Sequence, residues 1–166
     1  MSFINRLFKQ VKPSANKYRN QFKNNNKSSR QYSQQPNRGV PSGNKKEFYY
    51  LYVLKLSNGG FYVGITNNPE RRFSEHSSGQ GSKVTHTYPP VGVISCEPLG
   101  VMTYAKAEKF EDDKTLMLME INGYSSVRGG HWCMVNDKAI YLALVNNKDR
   151  ILRDFGRQVE RMVYPR

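Results

Sequence analysis

Only two of the 166 residues are cysteines, Cys96 and Cys133. Two thiols cannot form the framework of a small secreted domain, so the sequence predicts a reducing, intracellular compartment. His131 and Cys133 are too few and too close to enclose a structural zinc. Long apolar runs are missing as well. Nothing approaches the ~20 residues of a membrane-spanning helix, and no apolar stretch with a small-residue cleavage site follows the first charges. Acidic side chains are absent from residues 1–46, which hold eleven of the 26 Lys and Arg. Beyond them, 15 basic residues face 13 acidic ones, so nearly all of the formal net charge of +13 belongs to the leader.

A leader this basic is suited to a polyanion, either a nucleic-acid phosphate backbone or an anionic membrane surface. From Lys12 to Lys46 it is dominated by Asn, Gln, Ser, Lys and Arg, with scattered Tyr and Pro. Such a composition buries too little apolar area to offset the entropy of ordering, and disorder is expected. Residues 2–11 differ. Phe3, Ile4, Leu7, Phe8 and Val11 share one face at helical spacing, which allows a short amphipathic helix or an organelle transit peptide.

The domain proper is expected over 47–133, with a helical C-terminal extension over 134–166. Phe48 to Leu56 is aromatic and too short for a helix, so it reads as a strand. Ser57-Asn58-Gly59-Gly60 is a hairpin signal, and Phe61 to Thr66 is the returning strand. Asn68-Pro69-Glu70 then gives an N-cap, a proline at the first helical position and an acid in the first turn, starting a helix that runs to about Ser78. Gly79 to Pro90 reads as a loop and Val91 to Cys96 as a third strand. A helix from Tyr104 to Asn122 ends at Gly123, and Ser126 to Cys133 is a glycine-containing loop. Helices over about 137–145 and 149–162 complete the chain. The predicted class is α/β (α+β), with a central three-stranded, mainly antiparallel sheet flanked by helices.

Three pieces of this layout carry chemistry. Tyr50-Leu51-Tyr52 lies on the first strand, Tyr62-Val63-Gly64 on the second, and Arg72 with His76 shares one face of the following helix. In this order they resemble the GIY-YIG endonuclease superfamily, over about 48–132. Tyr52 stands for the tyrosine of the first motif, whose usual glycine is Tyr50 here. Tyr62, Val63 and Gly64 stand for the second motif, and Arg72 for the essential arginine. His76 matches a position held by tyrosine in repair members and by histidine in many small ones. Repair-type members carry a lysine where Ile65 stands. Glu111 matches the metal-binding glutamate by its distance from Val127-Arg128-Gly129-Gly130, with Glu108, Asp112 and Asp113 as alternatives on the same helix.

The resemblance implies a metal-dependent endonuclease of low sequence specificity, acting on DNA ahead of RNA. Glu111 would hold one Mg²⁺ or Mn²⁺, Arg72 would stabilise charge on the phosphate, and Tyr52, Tyr62 or His76 would take the proton from water. The catalytic set is then Tyr52, Tyr62, Arg72, His76 and Glu111. Two readings from other classes stand beside it: a non-catalytic nucleic-acid-binding module of the same fold, and a membrane- or assembly-associated factor steered by the leader. The hairpin supplies a test. A two- or four-residue loop sends the two tyrosines to opposite faces, whereas a three-residue loop, Asn58-Gly59-Gly60, pairs Leu56 with Tyr62 and puts both on one face. The three-residue loop is expected.

Overall fold

The computed structural model describes residues 45–165. The amphipathic stretch at 2–11 and nearly all of the basic leader lie outside the described residues. Strands β1 (Lys46–Leu56) and β2 (Phe61–Thr66) form the hairpin. Helices α1 (Pro69–Ser77) and α2 (Lys83–Thr87) follow, then β3 (Pro90–Thr103) and the long α3 (Tyr104–Asn122). A 3-10 turn at Tyr124–Ser126 leads into β4 (Val127–Arg128), and α4 (Asp137–Asn146), α5 (Lys148–Phe155) and α6 (Val159–Val163) close the described chain.

The fold is α+β, but its sheet has four strands rather than three, in the order β3-β1-β2-β4. The fourth is Val127–Arg128, which pairs parallel to β2 through Phe61 and Tyr62 inside the segment expected to be a loop. Two residues carry no alternation, and a pairing between positions 61 and 127 has no local signature. Arg128 holds the segment in place. Its buried guanidinium donates to the carbonyls of Met134, Tyr124 and Val127 and pairs with Asp137.

The hairpin loop has the expected length but begins one residue early. Leu56 N–H donates to Gly60 O at 2.9 Å and Gly59 N–H to Leu56 O at 3.0 Å, so the loop is Ser57-Asn58-Gly59. Gly59, at φ +83°, supplies the left-handed residue that closes it. Tyr62 accordingly faces Leu54 instead of Leu56. Moving the loop by one residue changes the partner by two, so the face is unchanged. Tyr52 and Tyr62 point the same way, with ring centroids 6.4 Å apart.

Both faces of the hairpin are covered, which explains why β1 reads as a continuous apolar run rather than an alternation. Leu51, Val53 and Val63 pack with Leu116 and Met119 of α3 and with residues of the C-terminal helices. Tyr52, Leu54, Leu56 and Tyr62 pack with Phe73 of α1 and Val84 of α2. Helix α2 is a further correction, since 79–90 was expected to be loop. Five residues show no helical period, and the Ser82–Thr85 capping box that starts it uses threonine in place of the usual Glu or Gln. Strand β3 extends to Thr103, beyond the expected Cys96, because it is an edge strand that absorbs Pro98 in a register shift opposite Tyr49 and Tyr50. The helix expected over 149–162 is divided by Gly156, which adopts a left-handed φ of +65°.

Candidate active site

Helix α1 starts as its residues dictate: the Asn68 side chain accepts from Arg71 N–H, and Pro69 occupies the first position. Its inward face then delivers Arg72, Phe73 and His76 against the even-numbered face of β1. Arg72 Nε–H donates to Tyr52 Oη at 3.2 Å, and Arg72 Nη1 donates to Glu75 Oε2 at 2.9 Å. His76 is buried, with Nε2 2.8 Å from Tyr52 Oη and Nδ1 2.8 Å from Thr85 Oγ1 of α2. The Tyr62 ring lies 5.1 Å from the His76 ring. Tyr52 can sit here because Gly64 opposite it has no side chain.

Glu111 comes from the middle of α3. Its Oε1 accepts from the backbone N–H of Gly130 at 3.1 Å, just after β4. The neighbouring Asp112 accepts from the backbone and ring of His131, at 3.1 and 2.8 Å. Two adjacent carboxylates of one helix therefore fasten the Gly130-His131 segment. A cavity of about 210 Å³ lies between these elements, lined among others by Tyr52, Tyr62, Arg72, Tyr104, Glu108 and Glu111. Four of the five expected site residues line it, and the fifth, His76, stands directly behind Tyr52. Ile65, in the place of a repair-type lysine, also reaches this cavity.

The electrostatics follow from burial. Desolvation pushes both tyrosine hydroxyls well above their ordinary value, so each keeps its proton at neutral pH. Burial, reinforced by the charge of Arg72, lowers His76 to about 3 and leaves its imidazole neutral. Burial alone would depress Arg72, but Tyr52 and Glu75 more than reverse this and hold the guanidinium charged. Burial raises Glu111 to about 7, against the Gly130 N–H that lowers it and with Asp112 and Glu108 that raise it further.

Arg72 Nε can only donate to Tyr52 Oη, which leaves the tyrosine hydrogen available to His76 Nε2 as its acceptor. Sequence reasoning missed Thr85, Glu75 and the Gly130 amide. Glu75 was readable as an i+3 partner of Arg72. Thr85 and Gly130 become partners only through tertiary contact.

Residues 48–122 match the GIY-YIG catalytic domain. A UPF0213 protein of Enterococcus faecalis is 43% identical over 66 residues, covering 40% of this chain and 75% of that protein. The chain belongs to the GIY-YIG family. A UPF0213 protein of Haloquadratum walsbyi is 31% identical over 65 residues, 39% of this chain and 73% of its own length. One from Xanthomonas campestris is 44% identical over 50 residues, 30% of this chain, and there the match spans about half (49%) of the relative. No solved structure matches. The GIY-YIG domain is a nuclease fold, and four of the five residues above lie within the matched stretch on the walls of one cavity, with His76 against one of them.

Among the described residues no group of three His, Cys, Asp or Glu is arranged to enclose a metal ion. A magnesium ion does not require one, since it keeps several waters and is usually held by one or two carboxylates together with substrate phosphate. The donor set fits that pattern. Glu111 and Glu108 place hard oxygen ligands on the cavity wall, and burial raises Glu111 towards neutrality despite the nearby Arg72.

Proposed function

We propose that this protein is a metal-dependent endonuclease that hydrolyses phosphodiester bonds in DNA with low sequence specificity. The observation that carries the reading is the convergence of Arg72, the Tyr52–His76 pair, Tyr62 and Glu111 on one cavity. A Mg²⁺ or Mn²⁺ ion held by Glu111, with Glu108 beside it, would supply neutralisation of phosphate charge.

The chain's own residues do the rest. Arg72 is fixed by Tyr52 and Glu75 and lines the cavity, where its guanidinium would meet an entering anion. Arginine in a part-buried site stabilises the charge that grows on phosphate oxygens during attack. Tyr52 lines the cavity with its hydroxyl 2.8 Å from Nε2 of the neutral His76. A water attacking the phosphate can pass its proton to Tyr52 Oη as the tyrosine proton moves to His76 Nε2, while the bond from phosphorus to the leaving sugar oxygen breaks and that oxygen takes a proton from solvent. Phosphate bound at Arg72 offsets the positive charge that helps to keep His76 unprotonated, so substrate itself makes the imidazole a better acceptor. Tyr62, itself buried, forms part of the cavity wall. The leader's excess of eleven positive charges adds sequence-independent affinity that fades with salt.

Nicking of supercoiled plasmid in Mg²⁺ or Mn²⁺ tests this, comparing the wild type with Arg72→Ala and Glu111→Gln. Nicking by the wild type, lost in both variants, supports the reading. Equal nicking by all three overturns the site assignment. DNA binding with no cutting by any of them reassigns the protein as a nucleic-acid-binding module.

A further inference from the structure

We infer that Thr85 is a positioning residue for the proton-accepting histidine: its hydroxyl fixes His76 in the tautomer that presents a free Nε2 lone pair to Tyr52. The catalytic consequence rests on the nuclease reading above, but the positioning itself does not.

Thr85 is fully buried at the third position of the short helix α2. Its Oγ1 lies 2.8 Å from His76 Nδ1. The same oxygen accepts from Ser82 N–H at 3.0 Å and lies 3.2 Å from Ser82 Oγ, and its own hydrogen has an acceptor in Ser82 O at 3.2 Å. A hydroxyl has one hydrogen. With that hydrogen on the Ser82 carbonyl, Thr85 can face His76 only as an acceptor, so His76 must carry its hydrogen on Nδ1. The constraint comes from the α2 side, and it is compatible with Arg72 donating to Tyr52 Oη, which leaves the tyrosine hydrogen available to Nε2. The result is a chain of donors running one way, from Arg72 through Tyr52 and His76 to Thr85 and the Ser82 carbonyl.

The identity of the residue matters as much as its position. A carboxylate at 85 would orient the ring equally well, but it would hold the imidazole protonated and so fill Nε2 before any reaction. A neutral hydroxyl orients without charging. When the proton from water reaches Tyr52 Oη and the tyrosine proton reaches Nε2, the imidazolium gains a positive charge. Its Nδ1–H remains bonded to an oxygen already aligned to accept. No bond of Thr85 forms or breaks in this sequence.

The test reads the tautomer directly. Long-range ¹H–¹⁵N spectra of the full chain at neutral pH resolve the ring nitrogens of its three histidines, and His76→Gln identifies the resonance of interest. The expected wild-type result is a single neutral form protonated on Nδ1; a proton on Nε2 overturns the proposal without any variant. Thr85→Val, which keeps the shape and removes the hydroxyl, is expected to lose that single form and to lower the nicking kcat by about 100-fold with KM unchanged, the scale of an impaired general base. Thr85→Ser should restore both.

Ser82→Ala separates positioning from capping. It removes the side-chain cap of α2, together with the Ser82 hydroxyl's contacts to Thr85 Oγ1 and Tyr62, while leaving the Thr85–His76 contact, so it should keep the tautomer. If Ser82→Ala loses the single tautomer as Thr85→Val does, Thr85 acts only through the helix and the proposal fails. A wild type with the expected tautomer but no nicking refutes the nuclease reading and leaves the positioning intact.

Discussion

Tyr52 and Gly64 are register partners across the hairpin, and a Cβ built on Gly64 would stand 2.3 Å from both Cζ and Oη of the Tyr52 ring. The glycine of the second motif is therefore the space in which the tyrosine of the first motif lies. Gly64→Ala should displace the hydroxyl from Arg72 and His76, which are 3.2 and 2.8 Å away. Overpacking of this kind costs about 1–3 kcal/mol, measurable by urea unfolding, and nicking should disappear. Tyr52→Phe keeps the ring and should lose nicking with far less effect on stability. An active, fully stable Gly64→Ala protein would sink the proposed role of Tyr52.

His76 and Glu111 are shifted in opposite directions, and stability should show it. His76 is lowered from 6.5 to about 3, so below pH 6.5 the unfolded chain takes up a proton that the folded one refuses. Its contribution is fully present above pH 6.5 and is lost on acidification, by about 1.4 kcal/mol per pH unit. Glu111 is raised from 4.5 to about 7, so the folded state binds the extra proton between these limits. Its contribution is fully present below pH 4.5 and is lost as pH rises through 7. Between pH 4.5 and 6.5 the two effects oppose each other. Glu111→Gln removes one of them and should make unfolding free energy fall more steeply from pH 6.5 to 5 than in the wild type. Parallel profiles would refute the opposition.

The hairpin, α1 and the full extent of α3 were legible because each is signalled locally. Asn68-Pro69-Glu70 starts a helix wherever it occurs after a strand, and Gly123 ends one. Tyr52, Tyr62 and Arg72 follow from those elements together with the family resemblance. Strand β4, helix α2 and the later half of β3 were not legible. Each exists through a partner distant in sequence or a bulge that breaks alternation: Phe61 for Val127, the His76 ring for Thr85, Tyr50 for Pro98. The same division runs through the site. Residues carrying a charge or a motif could be named, whereas the Gly130 amide and the Thr85 hydroxyl, which only orient others, could not.

Arg128 is a structural arginine, although it lies in the segment that helped to locate Glu111. Its guanidinium serves the carbonyls that turn the chain from the 3-10 turn into β4 and on towards Asp137. Arg128→Met leaves those carbonyls and one carboxylate without their donor. Asp137 is largely exposed, so the loss should come mainly from the carbonyls and be about 1–3 kcal/mol, the scale for leaving buried acceptors unsatisfied. Hydrogen exchange at Val127 and Arg128 should speed up more than exchange within β1. Because Gly130 also anchors Glu111, nicking should weaken even at temperatures where the variant stays folded.

The C-terminal helices share the core of the nuclease fold. Ile140, Leu144, Ile151, Val159 and Met162 lie in one buried cluster with Leu116, Met119 and Trp132. Arg157 reaches back to Asp113 and Glu120 of α3 at 2.9 and 2.8 Å. Ending the chain at Cys133 would uncover the face of α3 opposite the cavity side of the sheet. Burying a large aliphatic side chain is worth about 1.5–3 kcal/mol, so losing five of them removes roughly 10 kcal/mol. That is comparable to the whole stability of an ordinary domain. A 45–133 fragment should therefore be insoluble or unfolded by circular dichroism, even though it contains every residue of the proposed site. Arg157→Ala alone should cost only about 1 kcal/mol, because its partners are partly solvated. A folded, active 45–133 fragment would show that these helices are dispensable, and would place the stability of α3 in its contacts with the sheet alone.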